Sequence, residues 1–435
     1  MNKDFDMTAH SRSVFSIFVM LSVLLLLLSV SSFAPYKYLQ RADAAYVKSK
    51  PEAGGPVLTD PNLKVEVVFE NSGELDAPTT SMAFLGPDDI LVLEKNLGTV
   101  QRIVNGHLQS EPLLQVRVGN EVEWGMLGIA TTGSASTGKT YVFLYYTEVD
   151  NTGKVLGNRL YRYELLNDKL VNPLILLDLP AIAPLGGEEN NHDGGKVEIG
   201  PDGNVYVVIG DVGGRIGQAQ NNIDGDSLDG SSGILRVTPD GQPVGEGIIG
   251  NSIPASIYYA YGIRNSFGFD FDPVTGTIWD TENGANDKDE VNLVKPGFNS
   301  GWSQVMGFPP KRFNAESDLV NFDGKGQYGD PQFVWRQTTG PTALQFLKSS
   351  NLGLQYENTI FVGDVNTGNL FNFKLNSERT GLLLEGPLAD HTADTPEEEQ
   401  SIIFGTGFGV ITDIKTGPDG NLYVLGFDGT IYRIS

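Results

Sequence analysis

The chain has 435 residues, a formal net charge of −24, 53 glycines, 23 prolines and no cysteine. Without cysteine there can be no disulfide framework, no cysteine metal site and no cysteine nucleophile. The negative charge argues against nucleic acid as a partner, because binding phosphates needs a basic face. The many glycines and prolines favour a fold rich in tight turns rather than long helices.

The first apolar segment predicts an export signal or a membrane anchor. Val14 to Ala34 carries no charge and follows Lys3 and Arg12. Its length exceeds the apolar core of about 7–15 residues in a cleaved signal peptide and reaches the about 20 residues of a spanning helix. Ala42-Asp43-Ala44 nevertheless forms an acceptable cleavage site. We expect a membrane anchor or a secreted protein, extracytoplasmic in either case.

The sequence divides into a leader with a linker and one folded domain. Residues 1–56 are interpreted as a cytoplasmic stub, the hydrophobic segment 14–34 and a linker, and residues 57–435 as the folded domain. Short β-rich runs broken by turn residues fill this domain. They include Val65–Phe69, Ile90–Glu94, Tyr141–Thr147, Val205–Ile209, Thr277–Asp280, Thr359–Val362 and Leu422–Leu425.

A repeated turn predicts the architecture. Gly200–Val207 (GPDGNVYV) recurs almost unchanged as Gly417–Val424 (GPDGNLYV), and each copy opens a β-run. Repeated sheets with such turns indicate an all-β fold, a six-bladed β-propeller with roughly 63 residues per blade. We expect Val65–Phe69 to pair beside the last strand and close the ring. The alternative, a pair of β-sandwiches, is disfavoured by the repeat.

Two polar clusters could hold an acid–base pair. His192 lies in the glycine-flanked segment NNHDGG, and Asp211 follows the next strand. A meander could bring the two to one rim, where a carboxylate bonded to one imidazole nitrogen fixes the tautomer and raises the basicity of the ring. The structural alternatives are a histidine that caps a strand and an aspartate that closes a turn.

Two further clusters carry a cation and many acids. Arg264 and Asn265 interrupt an aromatic, glycine-rich run, which suggests recognition of an anion or a planar ring. The segment Asp280–Glu290 holds several acidic residues among asparagine and glycine. Oxygen ligands of this kind suit calcium, whereas a solvated acidic loop is the structural alternative.

Taken in order, the clusters resemble one family, the soluble quinoprotein glucose/sorbosone dehydrogenases, which include the aldose sugar dehydrogenases. The matching stretches are EWGMLGIA (123–130), NNHDGGKVEIGPDGNVYVVIGD (190–211), YGIRNSFGFDFDP (261–273) and TENGANDKDEVNLVKPGFNSGW (281–302). The resemblance implies a six-bladed propeller that binds pyrroloquinoline quinone (PQQ) and calcium. It implies oxidation of a sugar or polyol hydroxyl and an external electron acceptor.

The resemblance also implies roles for single residues. His192 corresponds to the general base, Asp211 to the acid that orients it, and Arg264 with Asn265 to the pair near the quinone carbonyl. The backbone carbonyls of Gly284 and Ala285 correspond to calcium ligands. Glu123 falls where the family places a polar contact to the cofactor.

The chain departs from the family where some members hold the quinone carboxylates with Lys and Arg. Neither Gly363–Gly368 nor Gly407–Thr412 contains a cation. Two alternative functions therefore remain open. One is a non-catalytic propeller that binds or scaffolds without PQQ, and the other is a calcium-dependent propeller lactonase.

Overall fold

The computed structural model describes residues 54–76, 78–134, 138–184 and 190–435. The expected leader at 14–34 lies outside the described residues. Within the described part of the chain, no helix has the length and apolar character needed to cross a membrane. Strands are numbered β1 to β29 along the chain, and they form six sheets.

The first three sheets are built mainly from consecutive strands. Sheet 1 contains β3 (Thr79–Gly86), β4 (Asp89–Glu94), β5 (Thr99–Val104), β6 (His107–Leu108) and β7 (Leu114–Gln115). Sheet 2 contains β8 (Met126–Ser134), β9 (Lys139–Val149), β10 (Val155–Leu166) and β11 (Lys169–Leu179). Sheet 3 contains β12 (Val197–Ile199), β13 (Val205–Ile209), β14 (Gly233–Val237), β15 (Tyr258–Tyr261), β19 (Phe298–Asn299) and β20 (Gln327–Tyr328).

The other three sheets receive strands from distant parts of the chain. Sheet 4 contains β16 (Gly268–Phe271), β17 (Ile278–Glu282), β18 (Asp289–Val294), β21 (Phe333–Trp335) and β25 (Thr392–Ala393). Sheet 5 contains β22 (Pro341–Phe346), β23 (Ile360–Asp364), β24 (Leu370–Phe373), β26 (Ile403–Thr406) and β1 (Val57–Leu58). Sheet 6 contains β27 (Ile411–Thr416), β28 (Leu422–Gly426), β29 (Ile431–Ile434) and β2 (Val65–Phe69).

Helices are few and short in the described residues. The α-helices are α1 (Ala315–Asp318) and α2 (Pro396–Glu399), and the 3-10 helices are Gln218–Gln220, Ala255–Ile257 and Gly386–Asp390. Each lies in a connection between strands. The prediction of a turn-rich, all-β fold is therefore confirmed.

The sheets are arranged as a propeller, in which the strands named first for sheets 1, 2 and 3 contact one another in that order, as do those of sheets 4, 5, 6 and 1. Strand β8 contacts β3 and β12, and β22 contacts β16 and β27, while β27 also contacts β3. The apolar core lies between neighbouring sheets. Tyr145 of sheet 2 packs with Val207 of sheet 3, and Trp279 of sheet 4 packs with Phe346 of sheet 5.

Sheet 6 joins the two ends of the described chain. Strand β2 pairs antiparallel with β29, with Val65 opposite Ile434 and Val67 opposite Tyr432. The predicted pairing of Val65–Phe69 beside the last strand is confirmed. This pairing covers the outer edge of β29 and makes β2 the outermost strand of the sheet.

The two copies of the repeated turn have the same local structure. Gly203 N donates to Gly200 O at 2.9 Å, and Gly420 N donates to Gly417 O at 2.9 Å. The turn aspartate accepts the tyrosine hydroxyl of the following strand at 3.0 Å in both copies, Asp202 from Tyr206 and Asp419 from Tyr423. The repeat read from the sequence is thus a structural repeat.

A close approach between sheets 2 and 3 leaves no room for a side chain at Gly128. A Cβ at this position of β8 would lie 1.8 Å from the carbonyl oxygen of Gly195. Forcing extra atoms into a packed core typically costs about 1–3 kcal/mol, so we expect Gly128→Ala to lower the free energy of unfolding by about that amount. Chemical denaturation measures this. Gly133→Ala is the matched control, because a Cβ there meets nothing within 4 Å, and equal losses in both variants would contradict the prediction.

Candidate active site

The predicted site residues lie on loops at one end of the strands of sheets 2, 3 and 4. Glu123 comes just before β8, His192 just before β12, and Asp211 just after β13. In an antiparallel pair, the start of one strand and the end of the next lie at the same end of the pair. We call the loops at this end the site rim, which consists of residues 117–125, 190–196, 210–217, 262–267 and 283–288.

His192 and Asp211 form the centre of the site rim. His192 Nδ1 lies 2.6 Å from Asp211 Oδ1, and both side chains are buried, at 6% and 1% exposure. Trp302 Nε1 donates to Asp211 Oδ2 at 2.8 Å, and Gly214 N donates to Asp211 Oδ1 at 3.1 Å. Both oxygens of the Asp211 carboxylate therefore accept hydrogen bonds, which fixes its position. Because this carboxylate contacts Nδ1 of the imidazole, Nε2 is left as the nitrogen that can accept a proton.

Arg264 links this pair to the loop between β17 and β18. Its guanidinium Nη1 donates to the carbonyl oxygens of Asn283 and Gly284, each at 3.0 Å. The guanidinium carbon lies 5.4 Å from the centre of the Trp302 ring, within cation–π range. The carbonyl of Arg264 accepts from Asp211 N at 2.9 Å. The structure thus brings Arg264 together with Asp211 and Gly284.

Glu123 and Asn265 contact each other beside the loop that carries His192. Asn265 Nδ2 lies 3.3 Å from Glu123 Oε1, and Asp193 N donates to Glu123 Oε2 at 3.0 Å. Asp193 follows His192 directly, and its Oδ1 accepts from Asn158 Nδ2 at 2.6 Å. The Glu123 carboxylate therefore connects the loop of the histidine with the loop of Arg264 and Asn265.

Asp193 should make the stability of the fold depend on pH. Burial and then the charge of Glu123 raise the pKa of Asp193 to about 8. The native state therefore keeps a proton that the unfolded chain releases above its ordinary pKa, and the free energy of unfolding falls as pH rises through this interval. We expect Asp193→Asn to lose less stability than the wild type between about pH 5 and about pH 8.

Urea denaturation at the two pH values measures this difference. Burial also lowers the pKa of neighbouring Lys95 to about 8, and Asp193→Asn leaves that lysine in place. Exposed Asp88→Asn is the control and should retain the wild-type slope. Identical slopes for wild type and Asp193→Asn would overturn the assignment of this titration to Asp193.

The acidic segment Asp280–Glu290 is a solvated loop only in its middle, where Ala285 to Lys288 are exposed. Asp280 and Glu282 lie in β17, Asp289 and Glu290 lie in β18, and all four are buried at 0–1% exposure. Most of the acidic side chains therefore belong to buried strands. In the described residues, no group of three or more His, Asp or Glu side chains is arranged to hold a metal.

Burial gives these carboxyl groups unusual proton affinities. Burial, followed by the charge of Glu282, raises the pKa of Asp280 well above its ordinary value. Burial raises the pKa of Glu282 to about 7, although Arg264 N donates to this carboxylate at 2.7 Å. Glu282 and Asp289 thus hold the backbone of two rim residues, because Asp289 accepts from Gly284 N at 2.8 Å as Glu282 does from Arg264 N.

The oxygens expected to bind calcium are only partly available. The carbonyl of Gly284 already accepts from Arg264, and Ala285 is exposed beside it. Asn283 Oδ1, in the preceding residue, is buried and has no hydrogen-bond partner. The loop has oxygen donors of the kind calcium takes, and the Arg264 guanidinium lies on its carbonyls.

Unpartnered buried atoms at the rim suit a polar planar ligand such as the quinone. Arg264 Nε, Asn265 Oδ1, Asn283 Oδ1 and Asn191 Oδ1 are buried without partners, and such atoms are costly unless a ligand or water meets them. The reacting end of a quinone fits this set. Its carboxylates are not matched at Gly363–Gly368 or Gly407–Thr412, which contain no cation.

The structure thus brings together His192, Asp211, Arg264 and Gly284 through direct contacts, and Asn265 and Glu123 beside them. Sequence reasoning did not single out Trp302 or Asp193. Asp193 stands next to His192 in NNHDGG, which was a usable signal. Nothing local indicates that the Trp302 indole reaches Asp211, since 91 positions separate them.

The chain is similar to known proteins in sequence and in fold. The sequence model of the family described as Glucose / Sorbosone dehydrogenase matches residues 75–433. The chain is 29% identical to quinoprotein glucose dehydrogenase B of Acinetobacter calcoaceticus over 414 residues, covering 78% of this chain and 81% of that protein. It is 25% identical to aldose sugar dehydrogenase YliI of Escherichia coli over 375 residues, covering 83% and 90%. The fold matches the PQQ-bound form of aldose sugar dehydrogenase from Streptomyces coelicolor, with a TM-score of 0.60, 20% identity and coverage of 86% and 98%.

Proposed function

Because the chain belongs to the glucose/sorbosone dehydrogenase family, we propose that it is a PQQ- and calcium-dependent dehydrogenase that oxidises a hydroxyl of an aldose or related sugar or polyol. The observation that carries this proposal is the 2.6 Å contact between His192 Nδ1 and Asp211 Oδ1. The pair lies on the same rim as Arg264 and Asn265. An external acceptor would take the electrons away from the protein.

In this proposal, His192 Nε2 takes the proton of the substrate hydroxyl. Asp211 holds the tautomer and stabilises the imidazolium that forms, and a positioned base of this kind contributes typically 10²–10⁴-fold to rate. The hydride leaves the same carbon, so an aldose would give a lactone. PQQ, when bound, supplies the two-electron acceptor for that hydride, and Arg264 and Asn265 are the residues placed to hold its reacting end.

The wider setting is part of the same proposal. We take each of the six sheets as one blade, since innermost strands contact one another at five of the six boundaries between sheets, and Tyr206 of sheet 3 packs on Phe271 of sheet 4 at the sixth. We take residues 14–34 as the segment that exports the chain or anchors it in a membrane. An extracytoplasmic place would give the site direct access to sugars, and the membrane would be contacted through this segment alone.

Reconstitution tests the proposal. The full chain in mild detergent is incubated with calcium and PQQ, and reduction of an artificial dye is followed against a panel of aldoses and polyols. Sugar-dependent reduction that needs PQQ supports the proposal, and the same protein without PQQ is the control. Absence of PQQ binding at micromolar concentration, about −8 kcal/mol, would reject it.

The missing cations favour one second candidate. Tricarboxylate binding normally uses charge-assisted hydrogen bonds from Lys or Arg, and Gly363–Gly368 and Gly407–Thr412 offer none. A propeller that binds a sugar without PQQ would share the fold and the rim. It would bind sugar in calorimetry but reduce no dye. No arrangement of side-chain ligands in the described residues favours the lactonase.

A further inference from the structure

The Arg264 guanidinium occupies the backbone carbonyls at which calcium is expected. Its Nη1 donates to Asn283 O and to Gly284 O, both at 3.0 Å. The residue is 8% exposed, and the Trp302 ring lies 5.4 Å from the guanidinium carbon. The family places calcium at the position that a cation of the protein itself fills here.

The carbonyls of this loop cannot easily turn to another partner. Gly284 N donates to Asp289 Oδ1 at 2.8 Å, and Asp289 Oδ2 accepts from Thr339 N and Gly340 N, each at 2.7 Å. A Cβ at Gly284 would lie 1.8 Å from Asp287 O, so the loop is tightly folded. Of the two partners in the contact, the side chain of Arg264 is therefore the one able to move.

Calcium and the guanidinium exclude each other at this site. Calcium binds carbonyl oxygens at about 2.3–2.6 Å, so an ion on Gly284 O would lie only a few ångströms from the positive guanidinium. Charges of the same sign repel strongly where little water screens them. The same loop also carries Asn283 Oδ1, a buried oxygen that has no hydrogen-bond partner.

We propose that Arg264 is an internal cation that competes with calcium for the carbonyl of Gly284, so that calcium binds only when the guanidinium moves away. The inference rests on the calcium site of the proposed function and does not depend on sugar oxidation. It assigns Arg264 a role in controlling metal occupancy besides its place at the quinone. Because Trp302 lies against the guanidinium, its fluorescence should report any movement of Arg264.

Calorimetric titration of calcium, without quinone or sugar, tests the competition. We expect Arg264→Met to bind calcium about tenfold more tightly than the wild type, within the usual range of coupling between two ligands. Arg215→Met is the matched control, because Arg215 bonds Asp229 and the carbonyl of Ile182 instead of the loop carbonyls. Its calcium affinity should equal that of the wild type. Unchanged or weaker binding by Arg264→Met would overturn the inference, as would absence of calcium binding by both proteins.

Tryptophan fluorescence gives a second measurement that does not depend on the Arg264 variant folding. Calcium binding to the wild type should change the emission of Trp302 as the guanidinium leaves its ring, and the change should be missing in Trp302→Phe. Calcium binding with no emission change attributable to Trp302 would contradict the inference. A dye assay that fails while both measurements succeed rejects only the dehydrogenase function.

Discussion

His192→Ala should retain the fold and lose most of the rate of sugar oxidation, with kcat falling by about 10²–10⁴-fold. The reason is geometric, since Asp211 Oδ1 lies 2.6 Å from His192 Nδ1 and both groups are buried. The carboxylate is fixed by Trp302 and Gly214, so the imidazole is held in one orientation before substrate arrives. An alanine offers no nitrogen to take the proton. Steady-state dye reduction, with PQQ supplied in excess, measures the loss.

The matched control for this experiment is His107→Ala. His107 lies in β6 at an exposed position of a hairpin, outside the loops that form the site rim. It should retain the wild-type kcat. PQQ binding should be unaffected in His192→Ala, because the residues placed at the quinone are Arg264 and Asn265. A variant that keeps PQQ and shows a rate within about twofold of the wild type, against the typical contribution of a general base, would remove His192 from the role of base.

Asp413→Ala should be the most destabilising of the simple substitutions, by about 3–5 kcal/mol. Asp413 Oδ2 accepts from Ser81 Oγ and Met82 N of β3, each at 2.9 Å, and Oδ1 accepts from Lys196 Nζ at 2.6 Å. Burial would raise the pKa of this carboxyl, but Lys196 and Lys415 outweigh it and hold the pKa below its ordinary value. Its removal leaves a lysine with a 4% exposed side chain without its nearest carboxylate.

Chemical denaturation of the domain measures this loss, and two comparisons sharpen it. The exposed pair of Arg433 and Glu66 is separated by 2.7 Å, and Glu66→Ala should cost no more than about 1 kcal/mol. The double variant Asp413→Leu with Lys196→Met removes both charges and should recover part of the stability lost by Asp413→Ala. If Asp413→Ala costs no more than Glu66→Ala, the ionic contact does not fasten β27 to β3 and β12.

Local signals in the sequence predicted the turns and many strands, because Pro-Asp-Gly presets the dihedral angles of each corner. Gly200–Val207 and Gly417–Val424 show this directly, with matching hydrogen bonds. The pairing of β1 with β26 and the parallel pairing of β15 with β19 were not predicted. These contacts join segments far apart in the chain, and no local pattern specifies which edge a short segment will find.

The sequence likewise predicted some contacts of the candidate site and missed others. His192 and Asp211 could be placed at one rim because each flanks a strand of the same antiparallel pair. The solvated-loop alternative for Asp280–Glu290 follows from the rarity of fully buried charged residues, whereas the structure places Glu282 and Glu290 inside paired strands. The contact of Arg264 with the carbonyl of Gly284 could not be read from spacing, since it depends on the direction of a long side chain.

The pairing of β2 with β29 has a consequence for biosynthesis. Val65–Phe69 leaves the ribosome early, and its partner Ile431–Ile434 is made hundreds of residues later. Sheet 6 cannot be completed until β29 has emerged, so closure of the ring follows synthesis of the other five sheets. Until then β2 has no partner strand, which is the state in which β-rich chains are most exposed to aggregation. Closure of the ring therefore waits for synthesis of the five sheets that lie between its two partner strands in the sequence.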